Sequence, residues 1–255
     1  MGAEQKVAII TGASQGIGEA LAREYWNRNY RIVATARSIK PSSDPGILAV
    51  AGDIADPTTA ERVVSQALER FGRIDTLVNN AAALIRLKLV DFTEELLQKA
   101  VRWNVWNTLR CCKAVLPHMI ERQYGRIVNI GGEAWRTGAP YHTLLAGIGK
   151  GSMVGLTATL AGEVVRYGIT VNCVSPGGIE TDADGAKELL PPGFREPDWT
   201  DPEFFAEMRR MGGGRGIGRM AHPTEVAAAV AFFGAPEASF VTGQHLGASG
   251  GVAML

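Results

Sequence analysis

A glycine-rich octapeptide constrains the fold more than any other feature of this sequence. Thr11–Gly18 reads TGASQGIG; it follows the apolar, β-branched run Val7–Ile10 and leads into a segment of helical periodicity, Gly18–Asn29. Glycine permits positive φ angles and close approach of a ligand to the backbone, and the first turn of a helix presents unpaired N–H groups to an anion. The octapeptide therefore predicts a strand, a tight turn and a helix whose N-terminus receives a phosphate group.

Short apolar runs alternate with helical segments along most of the chain. Strands are predicted at Val7–Ile10, Arg31–Thr35, Ile47–Ala51, Thr76–Asn79, Arg126–Ile130, Thr170–Val174 and Gln244–Gly247. The segments Gly18–Asn29, Thr58–Phe71, Thr93–Arg122 and Lys150–Tyr167 have helical periodicity. Strands that alternate with helices form βαβ units, and the strands of a parallel sheet are buried on both faces. The sequence therefore predicts an α/β fold with one doubly wound, Rossmann-type parallel sheet and helices on both faces.

One irregular stretch interrupts this alternation. Residues 182–221 contain Pro191-Pro192-Gly193, four aromatic residues and the glycine-rich run Gly212–Gly218. A compact domain rarely keeps so long an irregular segment without a function, so we interpret it as a lid over the substrate; a surface excursion or an oligomer contact is the alternative. The whole chain of 255 residues is predicted to form one domain with this lid.

Composition excludes several classes of partner. The 26 basic and 26 acidic residues cancel and form no long run of one sign, so neither a nucleic acid nor a membrane surface is expected as a partner. Three cysteines without metal-ligand spacing indicate reduced thiols, and no metal site is expected. The first strand begins six residues from the N-terminus and no membrane span is expected, so the chain is predicted to be cytoplasmic.

Further motifs resemble those of the short-chain dehydrogenase/reductase family, in the same order along the chain. They are the octapeptide, Asp53-Ile54, Asn79–Ala82, Asn104 thirteen residues before Pro117, Gly125–Ile130, Ser175-Pro176-Gly177 with Thr181, and Val241–Gln244. The resemblance spans nearly the whole chain and implies binding of a nicotinamide dinucleotide. The residues it implies as cofactor ligands are Gly12, Ser14, Gln15, Gly16, Ile17, Gly18, Arg37, Ser38, Asp53, Ile54, Asn80, Ala81, Ala82, Lys150, Pro176, Gly177, Ile179 and Thr181.

The end of the second predicted strand indicates which dinucleotide is preferred. An NAD site usually places a carboxylate there to bind the ribose 2′-hydroxyl, and that carboxylate would repel a 2′-phosphate. Ala36 occupies this position, and Arg37 follows it. Because a guanidinium can bind a phosphate through two charge-assisted hydrogen bonds, NADP(H) is favoured over NAD(H).

The family's catalytic pattern is incomplete in this chain. Family members reduce carbonyls with a serine, a tyrosine, a lysine and an asparagine; the tyrosine transfers the proton and the lysine lowers its pKa. Asn104 and Lys150 match two of these positions, but Ala146 stands four residues before Lys150, where the tyrosine belongs, and Gly132 stands where the serine belongs. The resemblance therefore implies a hydride-donor site without the usual proton donor.

Three residues are candidates for the missing proton donor. Tyr141 is nine residues before Lys150, or about 13 Å away along an unbroken helix, unless the glycines between 147 and 151 make this stretch a loop. His142 has a pKa suited to proton transfer near neutrality, and Glu133 follows the position of the missing serine. Lys150 could itself donate the proton if its pKa were depressed.

The leading hypothesis is an NADP(H)-dependent oxidoreductase that acts on a small carbonyl or alcohol, an imine or an activated alkene. The alternative is a protein that binds NADP(H) without redox turnover: a sensor, a partner subunit or a non-redox enzyme. The apolar faces of Thr93–Arg122 and Lys150–Tyr167 need covering, so a homotetramer or homodimer is expected.

Overall fold

The computed structural model describes residues 5–85, 87–138, 144–180 and 216–254. Its strands are β1 (Val7–Thr11), β2 (Arg31–Ala36), β3 (Ile47–Ala51), β4 (Thr76–Asn79), β5 (Gly125–Ile130), β6 (Ile169–Pro176) and β7 (His245–Ala248). The helices are α1 (Gly16–Asn27), α2 (Thr59–Phe71), α3 (Glu94–Val101), α4 (Asn107–Glu121), α5 (Ala134–Thr137), α6 (Leu144–Val164) and α7 (Pro223–Gly234). The seven strands lie where the sequence predicts them, to within two residues at either end.

The strands form one parallel sheet in the order β3-β2-β1-β4-β5-β6-β7. The order reverses direction at β1 and β4, which is the topological switch point where such sheets bind ligands beyond the carboxyl ends of the strands. The predicted doubly wound Rossmann-type sheet is confirmed. Its carboxyl edge is where the functional site must be sought.

Apolar side chains fill both faces of the sheet. On one face, α2, α4 and α6 pack with residues such as Val63, Val115 and Ala161. On the other face, α1 and α7 pack with residues such as Leu21 and Val230. Burial on both sides explains why the central strands are almost uninterrupted runs of apolar residues.

Two predicted helices differ from the observed ones. The segment predicted as one helix over Thr93–Arg122 contains a π-turn at Arg102–Trp106, between α3 and α4. The helix predicted to begin at Lys150 begins at Leu144, so the glycine-containing stretch 147–151 is helical, and the alternative that it forms a loop is wrong. A Cβ atom on Gly149 would lie 2.6 Å from Asn104 Cβ and one on Gly151 would lie 3.2 Å from Trp135 Cβ, so these glycines permit close packing.

Helix α6 and the turn after it, Leu144–Tyr167, span 24 residues and contain an 18-residue window with a mean hydropathy of 1.3, which is long and apolar enough to cross a membrane by length and composition. In this fold α6 packs on β5 and β6 and buries one face, including Met153, Thr157 and Ala161. Its place against the sheet accounts for the apolar residues on that face, since 33% of the apolar window is buried.

Candidate active site

The glycine-rich turn is anchored to two neighbouring strands. The Asn80 side-chain amide donates to the carbonyl oxygens of Thr11 at 2.9 Å and Gly12 at 3.2 Å. The Thr11 hydroxyl accepts from the backbone N–H groups of Asn80 and Ala81, each at 3.0 Å. The Gly12 N–H donates to the Thr35 carbonyl of β2 at 2.8 Å. These bonds fix the turn at the switch point, and Thr11 is an anchoring residue that the sequence analysis did not single out.

The turn is shaped to admit a ligand close to its backbone. Gly12 and Gly16 have φ angles of +67° and +56°, which L-residues with side chains rarely adopt. A Cβ atom on Gly18 would lie 2.7 Å from the Gly12 carbonyl carbon and 2.8 Å from Asn80 Nδ2. Gln15, the N-cap of α1, makes no side-chain capping bond, so the first N–H groups of this helix have no side-chain cap. The residues present therefore fit the pyrophosphate of a dinucleotide.

The residues predicted to bind the adenosine part of the dinucleotide follow β2 and β3. Ala36 ends β2 half-buried, and Arg37 and Ser38 follow it as exposed residues. Asp53, just after β3, accepts from the Ala55 N–H at 2.9 Å and from Trp103 Nε1 at 3.4 Å. The sequence-predicted residues for the adenosine and the 2′-phosphate thus lie on the same edge of the sheet as the glycine turn.

Asn104 lies inside the π-turn and is buried. Its side-chain amide donates to the carbonyl oxygens of Ala83 and Ala100, both at 2.9 Å, and its carbonyl accepts from the Ala83 N–H at 3.3 Å. The bond pair to Ala83 ties the loop after β4 to the helix pair α3 and α4. A π-turn inserts one residue into a helix and is found frequently at functional sites, where it redirects a side chain.

Lys150 projects from α6 toward the end of β5. Its Nζ atom donates to the Ile130 carbonyl at 2.9 Å, and burial lowers the pKa of its ammonium from 10.5 to about 8. A Cβ atom on Gly132 would lie 3.3 Å from Lys150 Cγ, so Gly132 lies directly against the lysine stem. One helical turn before Lys150 is the buried methyl group of Ala146. The positions predicted for the family's serine, tyrosine and lysine are therefore neighbours, but only the lysine can titrate.

Glu133 is held away from this lysine by an ion pair. Its carboxylate is buried and lies 2.8 Å from Nε of Arg136; Arg136 is in α5, and Glu133 is the residue before that helix. A Cβ atom on Gly247 of β7 would lie 2.8 Å from Glu133 Oε1, so the carboxylate faces the edge strand. A buried ion pair is costly to break, so Arg136 fixes the position of the Glu133 carboxylate.

A second polar pair lies next to Glu133, and the sequence analysis did not identify it. His245 Nε2 is 2.7 Å from the buried Ser175 hydroxyl, and the His245 ring packs on Trp135 with centroids 5.7 Å apart. Burial lowers the pKa of His245, while the charge of Glu133 opposes that shift. His245 is 70 residues from Ser175 in the chain, so no local pattern could have revealed the pair.

The predicted nicotinamide side follows β6. Pro176 ends this strand; a Cβ atom on Gly177 would lie 3.0 Å from Ser249 Cα, and Ile179 forms an isolated bridge with Ala221. Thr181, Tyr141 and His142 lie outside the described residues, as does the predicted lid up to residue 215. Within the described ranges, no group of His, Cys, Asp and Glu could hold a metal ion.

The fold and this edge of the sheet define a Rossmann-type protein with a glycine turn suited to a dinucleotide. The model of the short chain dehydrogenase family matches residues 6–189. The chain therefore belongs to the short-chain dehydrogenase/reductase family, as its motifs predicted.

Two curated relatives align over nearly their full length. One is the 3-oxoacyl-[acyl-carrier-protein] reductase FabG of Vibrio cholerae, 34% identical, with 100% of each chain covered. Another is the 2,3-dihydroxy-2,3-dihydro-p-cumate dehydrogenase of Pseudomonas putida, 32% identical, covering 99% of this chain and 96% of the relative. These relatives are named as a reductase and a dehydrogenase, so the chain's similarity is to oxidoreductases.

A solved structure has the same architecture. YwfH, described as an NADPH-dependent reductase involved in bacilysin biosynthesis, superposes with a TM-score of 0.82 at 22% sequence identity, covering 98% of this chain and 99% of its own. At this identity the likeness shows the fold alone.

Proposed function

We propose that this protein is an NADP(H)-dependent oxidoreductase of non-standard catalytic set, acting on a small carbonyl or alcohol, an imine or an activated alkene. The observation that carries the proposal is the placement of Lys150 on the same sheet edge as the anchored glycine turn. When bound, the dinucleotide supplies or accepts the hydride. Gly12, Gly16 and Gly18 would hold its pyrophosphate and Lys150 its nicotinamide-side ribose.

The preference for NADP(H) rests on the end of β2. Ala36 offers no carboxylate to a ribose hydroxyl, and Arg37, the exposed residue that follows it on that edge, carries a guanidinium of the kind that binds a 2′-phosphate.

A specific observation favours the alternative of NADP(H) binding without turnover. Gly132 and Ala146 place no hydroxyl beside Lys150, so the described part of the site lacks the family's phenol and serine. Tyr141 and His142 remain candidates for a proton donor.

The test combines binding and turnover. Isothermal titration with NADP⁺ and NAD⁺ measures cofactor affinity, and the loss of NADPH absorbance is followed with ethyl acetoacetate, 1-pyrroline and 2-cyclohexenone. We expect tighter binding of NADP⁺ and oxidation of NADPH with at least one probe. Binding without oxidation by any probe supports the alternative, and absence of binding rejects both.

We also propose that the protein is a cytoplasmic homotetramer or homodimer. A groove of about 410 Å³ lies between α4 and α6 and is lined by apolar side chains that include Leu109, Leu116, Leu156 and Leu160. Leu109 is 39% exposed, and covering such a surface by a second copy removes apolar area from water.

A further inference from the structure

We propose that Lys150 is itself the acid that protonates the substrate atom receiving the hydride, in place of the absent phenol. The inference rests on the proposed redox function and assigns its proton. The hydrogen bonding, the free space and the charges around the Lys150 amine support it.

The Lys150 amine has N–H donors to spare for a ligand. Lys150 Nζ makes one bond in the described structure, to the Ile130 carbonyl at 2.9 Å. An ammonium group has three N–H donors, so two remain for a ligand. The Ile130 bond aims the amine at the carboxyl end of β5, the edge of the sheet that carries the glycine turn.

Two small residues, Gly132 and Ala146, leave space beside the Lys150 side chain. Gly132 contributes no side chain, and the position of its missing Cβ is 3.5 Å from Lys150 Cβ and 3.9 Å from Lys150 Cδ. Ala146 contributes a methyl group where a phenol would stand between the lysine and a substrate. The two small residues leave the side chain of Lys150 in direct contact with this space.

The charged and titratable groups around the Lys150 amine come from each element packed against it. The Cys173 thiol on β6 interacts electrostatically with the lysine, and burial keeps that thiol protonated by raising its pKa to about 11. Glu133, after β5, is paired with Arg136; His245 on β7 is bonded to Ser175; Asn104 in the π-turn is uncharged. Within the described ranges no carboxylate lies within ion-pair distance of Lys150.

These surroundings suit a proton donor. Without a stabilising anion, burial brings the pKa of Lys150 to about 8, within reach of neutral pH, where a general acid is most effective. In reduction of a carbonyl, hydride adds to carbon, the Lys150 N–H bond breaks and an O–H bond forms. The carbonyl is reduced to an alcohol, NADPH is oxidised to NADP⁺, and the neutral amine regains a proton from water.

The first experiment measures the amine without turnover. Wild-type protein is labelled with a trace of acetic anhydride from pH 6 to 11, and acetylation at Lys150 is read by peptide mass spectrometry against the exposed Lys88. We expect half-maximal reactivity of Lys150 near pH 8. A midpoint above about 10, the ordinary lysine value, would overturn the proposal.

The second experiment uses Lys150→Arg, which keeps a positive charge and donors toward Ile130 but does not lose a proton at any working pH. We expect NADP⁺ affinity within about threefold of wild type and a turnover about 10²–10⁴-fold lower. In the wild type, kcat/KM for reduction should fall as pH rises through about 8, and that for oxidation should rise. The variant should lack this inflection.

Lys88→Arg, at an exposed lysine outside the site, is the matched control and should keep the rate and the inflection. If Tyr141→Phe or His142→Ala loses the inflection while Lys150→Arg keeps it, the proton comes from that residue and the proposal is wrong. Lys150→Met serves if the arginine variant does not fold. If wild type oxidises NADPH with no probe, the redox function fails and this assignment falls with it; an active wild type with an unchanged Lys150→Arg variant rejects the lysine alone.

Discussion

Gly18→Ala tests the close packing on which the glycine turn depends. The added Cβ would lie closest to the Gly12 carbonyl oxygen, 2.7 Å from the carbonyl carbon and 2.8 Å from Asn80 Nδ2, all below the 3.0 Å that Cβ atoms respect. The Gly12 contact is with backbone, so the turn must shift rather than a side chain rotate. Because Asn80 anchors both Thr11 and Gly12, the shift spreads through the predicted phosphate site.

The magnitude follows from two opposed effects. Alanine is favoured over glycine in a helix interior by about 1 kcal/mol, whereas overpacking a close contact costs about 1–3 kcal/mol. Gly155→Ala, in the middle of α6 and on its exposed face, has the full helical benefit, which is an upper bound for Gly18 in the first turn of α1, and no atom lies within 4 Å of the new Cβ. The control therefore carries the propensity gain alone, and the difference between the two variants measures the clash.

Thermal unfolding of the apo-protein measures the effect on stability, and titration calorimetry measures the effect on NADP⁺ affinity. Gly155→Ala should raise the melting temperature by about 2–4 °C, and Gly18→Ala should lower it or leave it unchanged. NADP⁺ should bind Gly18→Ala about 10–100-fold more weakly, since each 1.4 kcal/mol is tenfold in affinity. Affinity within twofold of wild type, together with a melting temperature raised as in the control, would refute the argument from close packing.

Three further perturbations test separate parts of the structure. Ala36→Asp should weaken NADP⁺ binding about 30-fold, because a carboxylate and a doubly charged phosphate repel each other by about 2 kcal/mol in water. Unchanged titration curves would refute the placement of the 2′-phosphate at the end of β2. Asp75→Asn should lower the free energy of unfolding by about 3 kcal/mol in urea titrations, because the fully buried carboxylate accepts from the Val7 N–H at 2.8 Å and pairs with Arg73 at 2.6 Å. Glu19→Gln, in an exposed ion pair, should change it by under about 0.5 kcal/mol. Equal effects of the two substitutions would contradict this account. Leu109→Glu should reduce the mass measured by light scattering and Val90→Glu, 88% exposed and outside the groove, should not; an unchanged mass would exclude the α4–α6 groove as an interface.

Local sequence patterns determined the sheet and the cofactor side of the candidate site. Apolar β-branched runs define the central strands because both faces of a central strand in a parallel sheet are buried. The glycine turn is equally local, since positive φ at Gly12 and Gly16 depends on residue type and on the strand-to-helix junction. Seven strands and the position of the turn were therefore predictable without knowledge of any long-range contact.

Only the tertiary structure decided what surrounds Lys150. The glycines at 147, 149 and 151 weaken helix propensity, yet α6 begins at Leu144 because these glycines let it pack against Asn104 and Trp135, which are distant in sequence. The Glu133–Arg136 ion pair is local, three residues apart in the chain, but Gly247 of β7, which leaves room for the Glu133 carboxylate, is brought there only by the fold. The depressed pKa of Lys150 likewise depends on burial between elements that the chain brings together only on folding.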